Sequence, residues 1–367
     1  MSNKGTTMAI DAMGGDWGPS VIVPGALRAA RETGIGLKFV GRDSELRLVL
    51  DQHPCQDLDV EIVHADEVAE AGEKSSHRLR KKRGTSIQVA SHLVKDDQAQ
   101  GLVSAGHTGP TLATTMLILG RIKGIDRPGL ATILPRENKP LLLVDVGANV
   151  DSKPRHLVQF AIMADTLARN VLKESNPKVG ILNIGEEQGK GNAQVTEAYA
   201  MLKSTSLNFV GNMEGRDVFQ SDIDIAVCDG FVGNIALKLS EGLGRAFSKM
   251  LKQELARSRL SKLGALMARP ALHRIGRRLD YEEYGGAPLL GLNGTVFVCH
   301  GSAGETAIYQ AVKMGVEYTV TKANDAIRHT LEMHPELSRF HRFRHFISSG
   351  QKSGSHSEED ASEERRG

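Results

Sequence analysis

The sequence predicts an α/β protein built on a mostly parallel sheet. Six apolar, β-branched segments are each followed by a glycine-rich loop and then by helical periodicity. The chain has 39 glycines but only 4% aromatic residues, which suits strands that end in tight loops better than an all-β sandwich. Strands that alternate with helices favour parallel pairing, with helices covering both faces. The loops lie at 8–18, 101–110, 141–149, 179–192, 223–234 and 295–305.

The segments between these loops have apolar residues at intervals of three or four, which predicts helices. In parallel sheets, the loops at the carboxyl ends of the strands gather into one crevice where ligands bind. We therefore expect all six glycine loops to converge at or near one crevice. The clearest helical face is formed by Leu157, Phe160, Ala161, Ala164, Leu167 and Val171.

Two regions depart from this alternation. A long helix is predicted from Ile235, followed by a second amphipathic piece that Gly264 and Pro270 interrupt. We interpret 240–284 as a helical excursion within a single α/β domain over 1–335. The tail 350–367 contains almost no hydrophobic residues and is predicted to be disordered.

Composition excludes several classes of protein. With 367 residues, 40% of them hydrophobic, the chain can bury a large core. The cysteines Cys55, Cys228 and Cys299 are scattered, which argues against a disulfide framework or a zinc site and for a reducing cytoplasm. The N-terminal segment lacks the apolar stretch of a signal peptide, and no segment has the length of a membrane span. We expect a cytoplasmic protein.

Motifs for common cofactors and nucleophiles are absent from the sequence. No G-x-G-x-x-G follows a strand, and the nearest resemblance to a P-loop, Gly185–Gly191, has one residue too few and lacks the Ser or Thr that holds magnesium. There is no G-x-S-x-G or HExxH motif, and the histidines have no metal-ligand spacing. We therefore predict neither a metal nor an organic cofactor.

The glycine loops instead favour anion binding. Gly106–Gly109 precedes a predicted helix, and Asp229–Asn234 precedes another. Backbone N–H groups at a helix N-terminus favour phosphate electrostatically. Lys190 adds a flexible cation between two glycines in a third loop, although a lone loop lysine is equally compatible with simple solvation. These features indicate a crevice that handles phosphate without a nucleotide fingerprint.

Seven ordered motifs between residues 8 and 330 resemble those of the PlsX family of acyl-ACP:phosphate acyltransferases. They are IDAMGGDWGPS, VSAGHTG, VDVGANVDSKPRHLVQFAIM, LNIGEEQGKGN, NFVGNMEGRD, VCDGFVGNIALKLSEG and YGGAPLLGLNG. The resemblance implies transfer of a long-chain fatty acyl group from acyl carrier protein to inorganic phosphate, and the acyl phosphate product feeds phospholipid (phosphatidic acid) synthesis through a downstream glycerol-3-phosphate acyltransferase. It also implies a Rossmann-like three-layer α/β/α fold related to isopropylmalate dehydrogenase, a homodimer, and peripheral association with the inner face of the cell membrane.

Other functions remain open at this point. A related α/β enzyme, such as a phosphotransacetylase or a decarboxylating dehydrogenase, is the first alternative, and an inactive membrane-bound scaffold is the second. The sequence also departs from the family pattern, with His107 and Pro110 where the family usually has Asn and Ala.

The site residues follow from the loops and from the resemblance. Because phosphate itself attacks the thioester, we predict direct transfer without a covalent enzyme intermediate, in which positioning and oxyanion donors supply the catalysis. The predicted catalytic residues are Lys190, Asn234, His107 and Asp229. The predicted phosphate- and substrate-binding residues are Ser104, Gly106, Thr108, Gly109, Asn183, Gly185, Gly189, Gly191 and Gly233.

Charge is distributed unevenly along the chain. The net charge is +2, but the window 245–278 carries +9. Such polarity suits an acidic partner or an anionic surface. No nucleic-acid-binding motif is present, so we predict no nucleic-acid partner. For the acidic carrier protein, the predicted contacts are Arg78, Arg80, Lys81, Lys82 and Arg83. For an anionic membrane, they are Leu260, Leu263, Met267, Leu272 and Ile275, with a dimer seam as the alternative role of these five.

Overall fold

The computed structural model describes residues 5–69, 84–136, 139–279 and 285–333. These residues form an 11-stranded sheet with helices on both faces. The strands are β1 (Thr7–Asp11), β2 (Gly36–Gly41), β3 (Val60–His64), β4 (Gly101–Ser104), β5 (Gly129–Leu134), β6 (Leu141–Val144), β7 (Val179–Leu182), β8 (Phe209–Met213), β9 (Ile225–Val227), β10 (Ala287–Leu290) and β11 (Thr295–Val298). The helices are α1 (Pro19–Thr33), α2 (Asp43–Leu50), α3 (Ser86–Lys95), α4 (Thr108–Ile118), α5 (Pro154–Asn170), α6 (Ala193–Lys203), α7 (Asp217–Gln220), α8 (Gly230–Ala256), α9 (Arg259–Leu279), α10 (Glu305–Val320) and α11 (Ala323–Met333).

The sheet consists of two parallel blocks that run in opposite directions. Its order is β3-β2-β1-β4-β11-β10-β5-β6-β9-β7-β8. The strands from β3 to β11 in this order are mutually parallel, as are those from β6 to β8. Between the blocks, three successive antiparallel pairings join β11, β10, β5 and β6. The predicted mostly parallel α/β sheet is confirmed.

This reversal corrects the expectation that all six glycine loops converge at one edge. The loops after β1, β4 and β11 end at one edge of the sheet, and those after β6, β7 and β9 end at the opposite edge. The glycine pattern reports that a strand ends in a tight loop, but it carries no information about strand direction.

The two faces of the sheet have separate hydrophobic cores. On one face, α1, α5 and α10 pack around the fully buried Phe39, Phe160 and Phe297. On the other face, α3, α4 and the beginning of α8 cover side chains such as Leu102, Leu143 and Val296. The apolar face predicted over 157–171 is buried along its whole length. Helices on both faces give the expected three layers.

Helices α8 and α9 pack against each other, and both differ from their predicted bounds. Helix α8 begins at Gly230 rather than Ile235, because the Asp229 carboxylate caps the first turn. Helix α9 is continuous through Pro270, so the expected break is wrong. Proline removes a backbone donor and usually kinks or breaks a helix interior, but this helix runs unbroken from Arg259 to Leu279.

Several predictions fall on residues outside those that the structure describes. These are the five basic residues between Arg78 and Arg83 proposed to contact a carrier protein, the end of the 240–284 excursion, and the tail 350–367.

Candidate active site

The three glycine loops that follow β1, β4 and β11 are joined by hydrogen bonds. The Ser104 hydroxyl donates to Asp11 Oδ2 at 2.7 Å and accepts the Gly106 N–H at 3.1 Å. The Ser104 carbonyl accepts the Cys299 N–H at 2.8 Å, and Gly301 accepts the Asp16 N–H at 2.7 Å. Ser104 is fully buried, and its side chain contacts the neighbouring loops rather than the cavity.

Asp11 lies beneath these loops and is buried. Burial raises the pKa of its carboxyl group above the ordinary 3.8, while hydrogen bonds from Ser104, Ser86 and the backbone of Met13 lower it in part. Because of this burial, the protonated form is favoured relative to an exposed aspartate.

Helix α4 presents its N-terminus at the same edge. His107 is the N-cap residue, and no side chain caps the helix. Within the described part of the chain, the N–H groups of Thr108 and Gly109 have no hydrogen-bond acceptor. Such groups attract an anion, because the helix dipole adds to their own partial charge. This feature agrees with the predicted phosphate loop.

His300 is a site residue that the sequence analysis did not select. The Ser302 N–H donates to His300 Nδ1 at 3.2 Å, and the Ser302 hydroxyl lies 2.8 Å from the same atom. Nδ1 therefore acts as an acceptor, which places the proton of the neutral ring on Nε2. The available signal was the HGSAG segment directly after a buried strand, but its neighbour β4 could not be inferred without the sheet order.

The loops at the opposite edge are organised by Asp145. Its carboxylate accepts the N–H groups of Leu130, Gly147, Ala148 and Asn149, and the Asn149 side chain, at 2.8–3.2 Å. Burial raises the pKa of Asp145, and these donors offset part of that effect. The ordered loop contacts the first residue of α8, because the Asn149 carbonyl accepts the Gly230 N–H at 2.8 Å.

The anion site predicted at the start of α8 is corrected by this geometry. Asp229 Oδ1 accepts the N–H groups of Phe231 and Val232 at 3.0 and 2.9 Å, so the helix is already capped by a carboxylate that repels phosphate. Gly233 serves close packing, because a Cβ there would lie 1.9 Å from the Asp145 carbonyl oxygen.

The loop after β7 is held in its conformation by the side chain of Asn183. The Asn183 amide donates to the Lys190 carbonyl at 2.9 Å, and a Cβ at Gly191 would lie 2.4 Å from Asn183 Oδ1. Asn183 and Gly191 thus shape their own loop, and the Lys190 side chain is exposed to solvent.

A cavity of about 910 Å³ crosses the sheet face beneath α8. Thr108 and His300 lie at the edge where β4 and β11 end, and Asn234 lies at the edge where β6 and β9 end. Between them, β5 crosses the cavity floor from Leu130 to Leu134, a span of about 13 Å. Of the predicted catalytic and phosphate-binding residues, Thr108 and Asn234 line this cavity. The others do not: Ser104, Gly106, His107, Gly109, Asn183, Gly185, Gly189, Lys190, Gly191, Asp229 and Gly233.

The cavity has one apolar wall and one cationic wall. The strand side and adjoining loops are mostly apolar, whereas α8 presents four basic side chains and one acidic side chain, Glu241. The apolar side chains are Leu130, Ile133, Leu134, Val146 and Val298 on the strands and loops, Phe219 on α7 and Leu237 on α8, and the basic ones are Lys238, Arg245, Lys249 and Lys252.

The described residues provide neither a metal site nor a membrane-spanning helix. These residues contain no group of three or more His, Cys, Asp or Glu placed to hold a metal ion. Nor does any described helix combine the length and apolar character needed to cross a membrane.

The sequence matches the family described as "Fatty acid synthesis protein" over residues 6–325. The chain belongs to this family. A phosphate acyltransferase of Nitratidesulfovibrio vulgaris is 51% identical over 336 residues, covering 91% of this chain and 97% of the relative. One from Lawsonia intracellularis is 50% identical over 342 residues, covering 93% and 99%. The resemblance stated from the motifs is therefore confirmed, and this member of the fatty acid synthesis family is an acyltransferase enzyme.

Solved structures of more distant proteins share the family's fold. A phosphotransacetylase from Streptococcus pyogenes superposes with a TM-score of 0.60 at 20% identity, covering 86% of this chain and 95% of that one. The EutD phosphotransacetylase from Staphylococcus aureus gives 0.59 at 14% identity, with 87% and 95% covered. At these identities the likeness establishes the fold alone.

Proposed function

We propose that this enzyme transfers a long-chain acyl group from acyl carrier protein to inorganic phosphate. The observation that carries the proposal is a cavity in which an apolar wall leads to an uncapped helix N-terminus. An acyl chain suits the wall formed by residues such as Leu130 and Leu134, and an anion suits the N–H groups of Thr108 and Gly109. The product, an acyl phosphate, would pass to a downstream acyltransferase that acts on glycerol 3-phosphate.

The chemistry requires no nucleophile from the enzyme. Phosphate attacks the thioester carbonyl carbon, the carbonyl oxygen gains negative charge, and the carbon–sulfur bond then breaks to release the thiolate of the carrier. Cys299 is the thiol that lines the cavity, and burial raises its pKa to about 12, so it remains a protonated, poor nucleophile. Direct transfer to phosphate is consistent with this.

In this proposal, Thr108 and His300 form the reacting end of the cavity. The N–H group of Thr108, which lines the cavity, and that of Gly109 just behind it in the first turn hold the attacking phosphate, and the Nε2 proton of His300 stabilises the developing oxyanion. Asp11 and Ser104 hold the loops in position from below. Asn234 lies at the other end, where it borders the apolar wall, and His107 remains a candidate because it immediately precedes the uncapped first turn of α4.

The membrane and dimer predictions remain proposals. On α9, Leu260, Leu263, Met267 and Ile275 are each more than half exposed, while Leu272 is partly buried. Basic residues flank them, which suits contact with anionic lipid headgroups. The exposed apolar stripe on α8, which includes Leu239, Leu243 and Phe247, suits a homodimer interface. A homodimer that contacts lipid through α9 would lie in the cytoplasm, at the inner face of the cell membrane.

The activity is tested by incubating the protein with palmitoyl-ACP and inorganic phosphate. We expect acyl phosphate and free carrier protein to form in equal amounts. Turnover of acetyl-CoA with phosphate instead would identify a phosphotransacetylase, and reduction of NAD by hydroxy acids would identify a dehydrogenase. No turnover of any of these, with binding to anionic vesicles retained, would identify an inactive scaffold.

A further inference from the structure

Three basic residues of α8 form a row on the cavity wall. Arg245, Lys249 and Lys252 are spaced i, i+4 and i+7, so they share one face of the helix. Arg245 lies 3.8 Å from Glu241, but Lys249 and Lys252 have no ion-pair partner within the described ranges. Like charges at this spacing destabilise a helix, and within the described ranges the two lysines have no carboxylate to balance them, which favours an anionic ligand beside Lys249 and Lys252. We refer to these three residues as the cationic row.

The position of the row relates it to the reacting end of the cavity. Helix α8 begins at the edge where β9 ends and runs back across the sheet face along the cavity. Arg245 lies about 16 Å beyond Asn234 along the helix axis, and Lys252 about 27 Å beyond it. The cavity that contains Thr108 and His300 also reaches Arg245, Lys249 and Lys252, and β5 spans only about 13 Å between the two edges, so we infer that the row lies level with Thr108 and His300 or farther out.

We propose that the cationic row binds the phosphodiester of the 4′-phosphopantetheine arm that carries the acyl group. This inference rests on the proposed use of an acyl carrier protein. An extended arm measures about 15 Å from sulfur to phosphorus, since extended chains gain roughly 3.5 Å per three bonds. With the thioester at Thr108 and His300, the phosphodiester therefore lies beside Lys249 and Lys252, and the acyl chain follows the apolar wall. The row thus fixes the arm so that the carbonyl lies at the reacting end.

Binding of the free arm tests the proposal without relying on turnover. Isothermal titration calorimetry would compare 4′-phosphopantetheine with pantetheine, on the wild type and on a variant combining Lys249→Gln and Lys252→Gln. We expect the wild type to bind the phosphorylated arm about 10- to 100-fold more tightly, as charge-assisted contacts to a phosphate suggest. The variant should lose this preference while its affinity for pantetheine is unchanged.

Matched controls separate the row from general charge. Lys262→Gln combined with Arg269→Gln removes two exposed charges from α9 that lie outside the cavity, and the preference should remain. The double variant Lys249→Arg, Lys252→Arg keeps both positive charges and should also retain the preference for 4′-phosphopantetheine over pantetheine. Circular dichroism would establish that each variant is folded, and a double glutamine variant that fails to fold leaves Lys249→Gln and Lys252→Gln to be measured singly.

Four outcomes would overturn the proposal. The wild type could bind both arms equally, or the glutamine variant could keep the preference. Alternatively, the variant could lose affinity for inorganic phosphate by the same factor, which would assign the row to the acceptor phosphate. Finally, it could lose only vesicle binding, which would assign the row to the membrane. Failure of the proposed function is distinguishable, because it appears as absence of acyl phosphate with palmitoyl-ACP while the binding preference remains measurable.

Discussion

His300 and Asp229 illustrate how far side-chain chemistry alone predicts a site. Asp229 was predicted to be catalytic because it opens a glycine loop, yet its carboxylate is engaged in capping α8. His300 received no role, yet it lines the cavity with a ring fixed by Ser302. Residue type and loop position do not distinguish a capping carboxylate from a reacting one, because that depends on which N–H groups lie within reach.

The first prediction concerns turnover. His300→Ala should lower kcat with palmitoyl-ACP about 100- to 1000-fold, the usual effect of losing an oxyanion donor. His300→Gln should recover part of this, because the glutamine amide can donate from a position near Nε2. Retention of more than a fifth of wild-type turnover by His300→Ala would remove it from the site.

The same assay, run on Lys190→Ala and Asn234→Ala, tests the original sequence hypothesis. That hypothesis gives each of them a loss of about 100- to 1000-fold. Because Lys190 is exposed outside the cavity and Asn234 lies at the end opposite Thr108, the structure favours smaller losses than in His300→Ala. Equal losses in all three variants would mean that the two edges meet during the reaction.

The second prediction concerns the pH dependence of stability. Burial raises the pKa of Asp11 in the folded state, so its favourable contribution is present below the ordinary value of 3.8 and is lost as the pH rises through the raised pKa. Asp11→Asn removes this ionisation. The free energy of unfolding of the variant, relative to wild type, should therefore rise with pH from about 3.8 up to and through the raised pKa of Asp11.

Urea denaturation at several pH values measures this difference. Asp57→Asn, at an exposed position, is the control and should show no such trend. A relative stability of Asp11→Asn that falls as the pH rises would show that the folded protein favours the ionised carboxylate.

At the scale of elements, α8 contains glycines with different roles. Gly233 lies where a Cβ would approach the Asp145 carbonyl oxygen to 1.9 Å and Cys228 Sγ to 2.9 Å. Gly242 lies on the same helix, with no atom within 4 Å of the position of a Cβ. The glycine that the sequence analysis assigned to phosphate binding therefore determines how closely the helix packs.

The third prediction compares these two glycines. Gly233→Ala should destabilise the protein by about 2–3 kcal/mol, because overpacking forces α8 away from the loop that Asp145 orders. Gly242→Ala should instead stabilise it by about 0.5–1 kcal/mol, since alanine is the better helix former. Thermal or chemical denaturation measures both. If Gly233→Ala left the free energy of unfolding unchanged, α8 could shift away without destabilising the protein. The loop that Asp145 orders would then not determine the position of α8.

Helix α9 gives the fourth prediction. Leu263 and Met267 are exposed on one face, at an i, i+4 spacing, among basic residues. The double variant Leu263→Glu, Met267→Glu should remain dimeric and active but should no longer sediment with anionic vesicles. Sedimentation of the wild type should decrease as salt is added.

Size-exclusion chromatography with light scattering provides the control for that experiment. If the double variant becomes monomeric, the two side chains belong to the interface between subunits. If the wild type never sediments with anionic vesicles, α9 does not contact the membrane.

At the scale of the whole molecule, the sequence predicted the layers and the family but not the geometry of the site. Alternating apolar segments and glycine loops are local patterns, and they gave the correct fold class. The reversal at β10 and β5 depends on pairing between segments more than 100 residues apart, such as Leu289 with Leu130. No local pattern encodes that pairing, so the division of the loops between two edges could not be predicted.

The position of β10 and β11 in the sheet has a consequence for the order in which the molecule can be completed during synthesis. These are the last strands that the structure describes, yet they lie between β4 and β5, which come from the first half of the chain. Until β10 and β11 emerge from the ribosome, no strand joins β4 to β5 by hydrogen bonds, so the two blocks of the sheet remain separate. The nascent chain must therefore keep two open edges apart for most of translation, and exposed strand edges are prone to wrong pairing. The cavity acquires Ala287, Val298, Cys299 and His300 only at this last step, so a chain that stops before them lacks the proposed oxyanion donor.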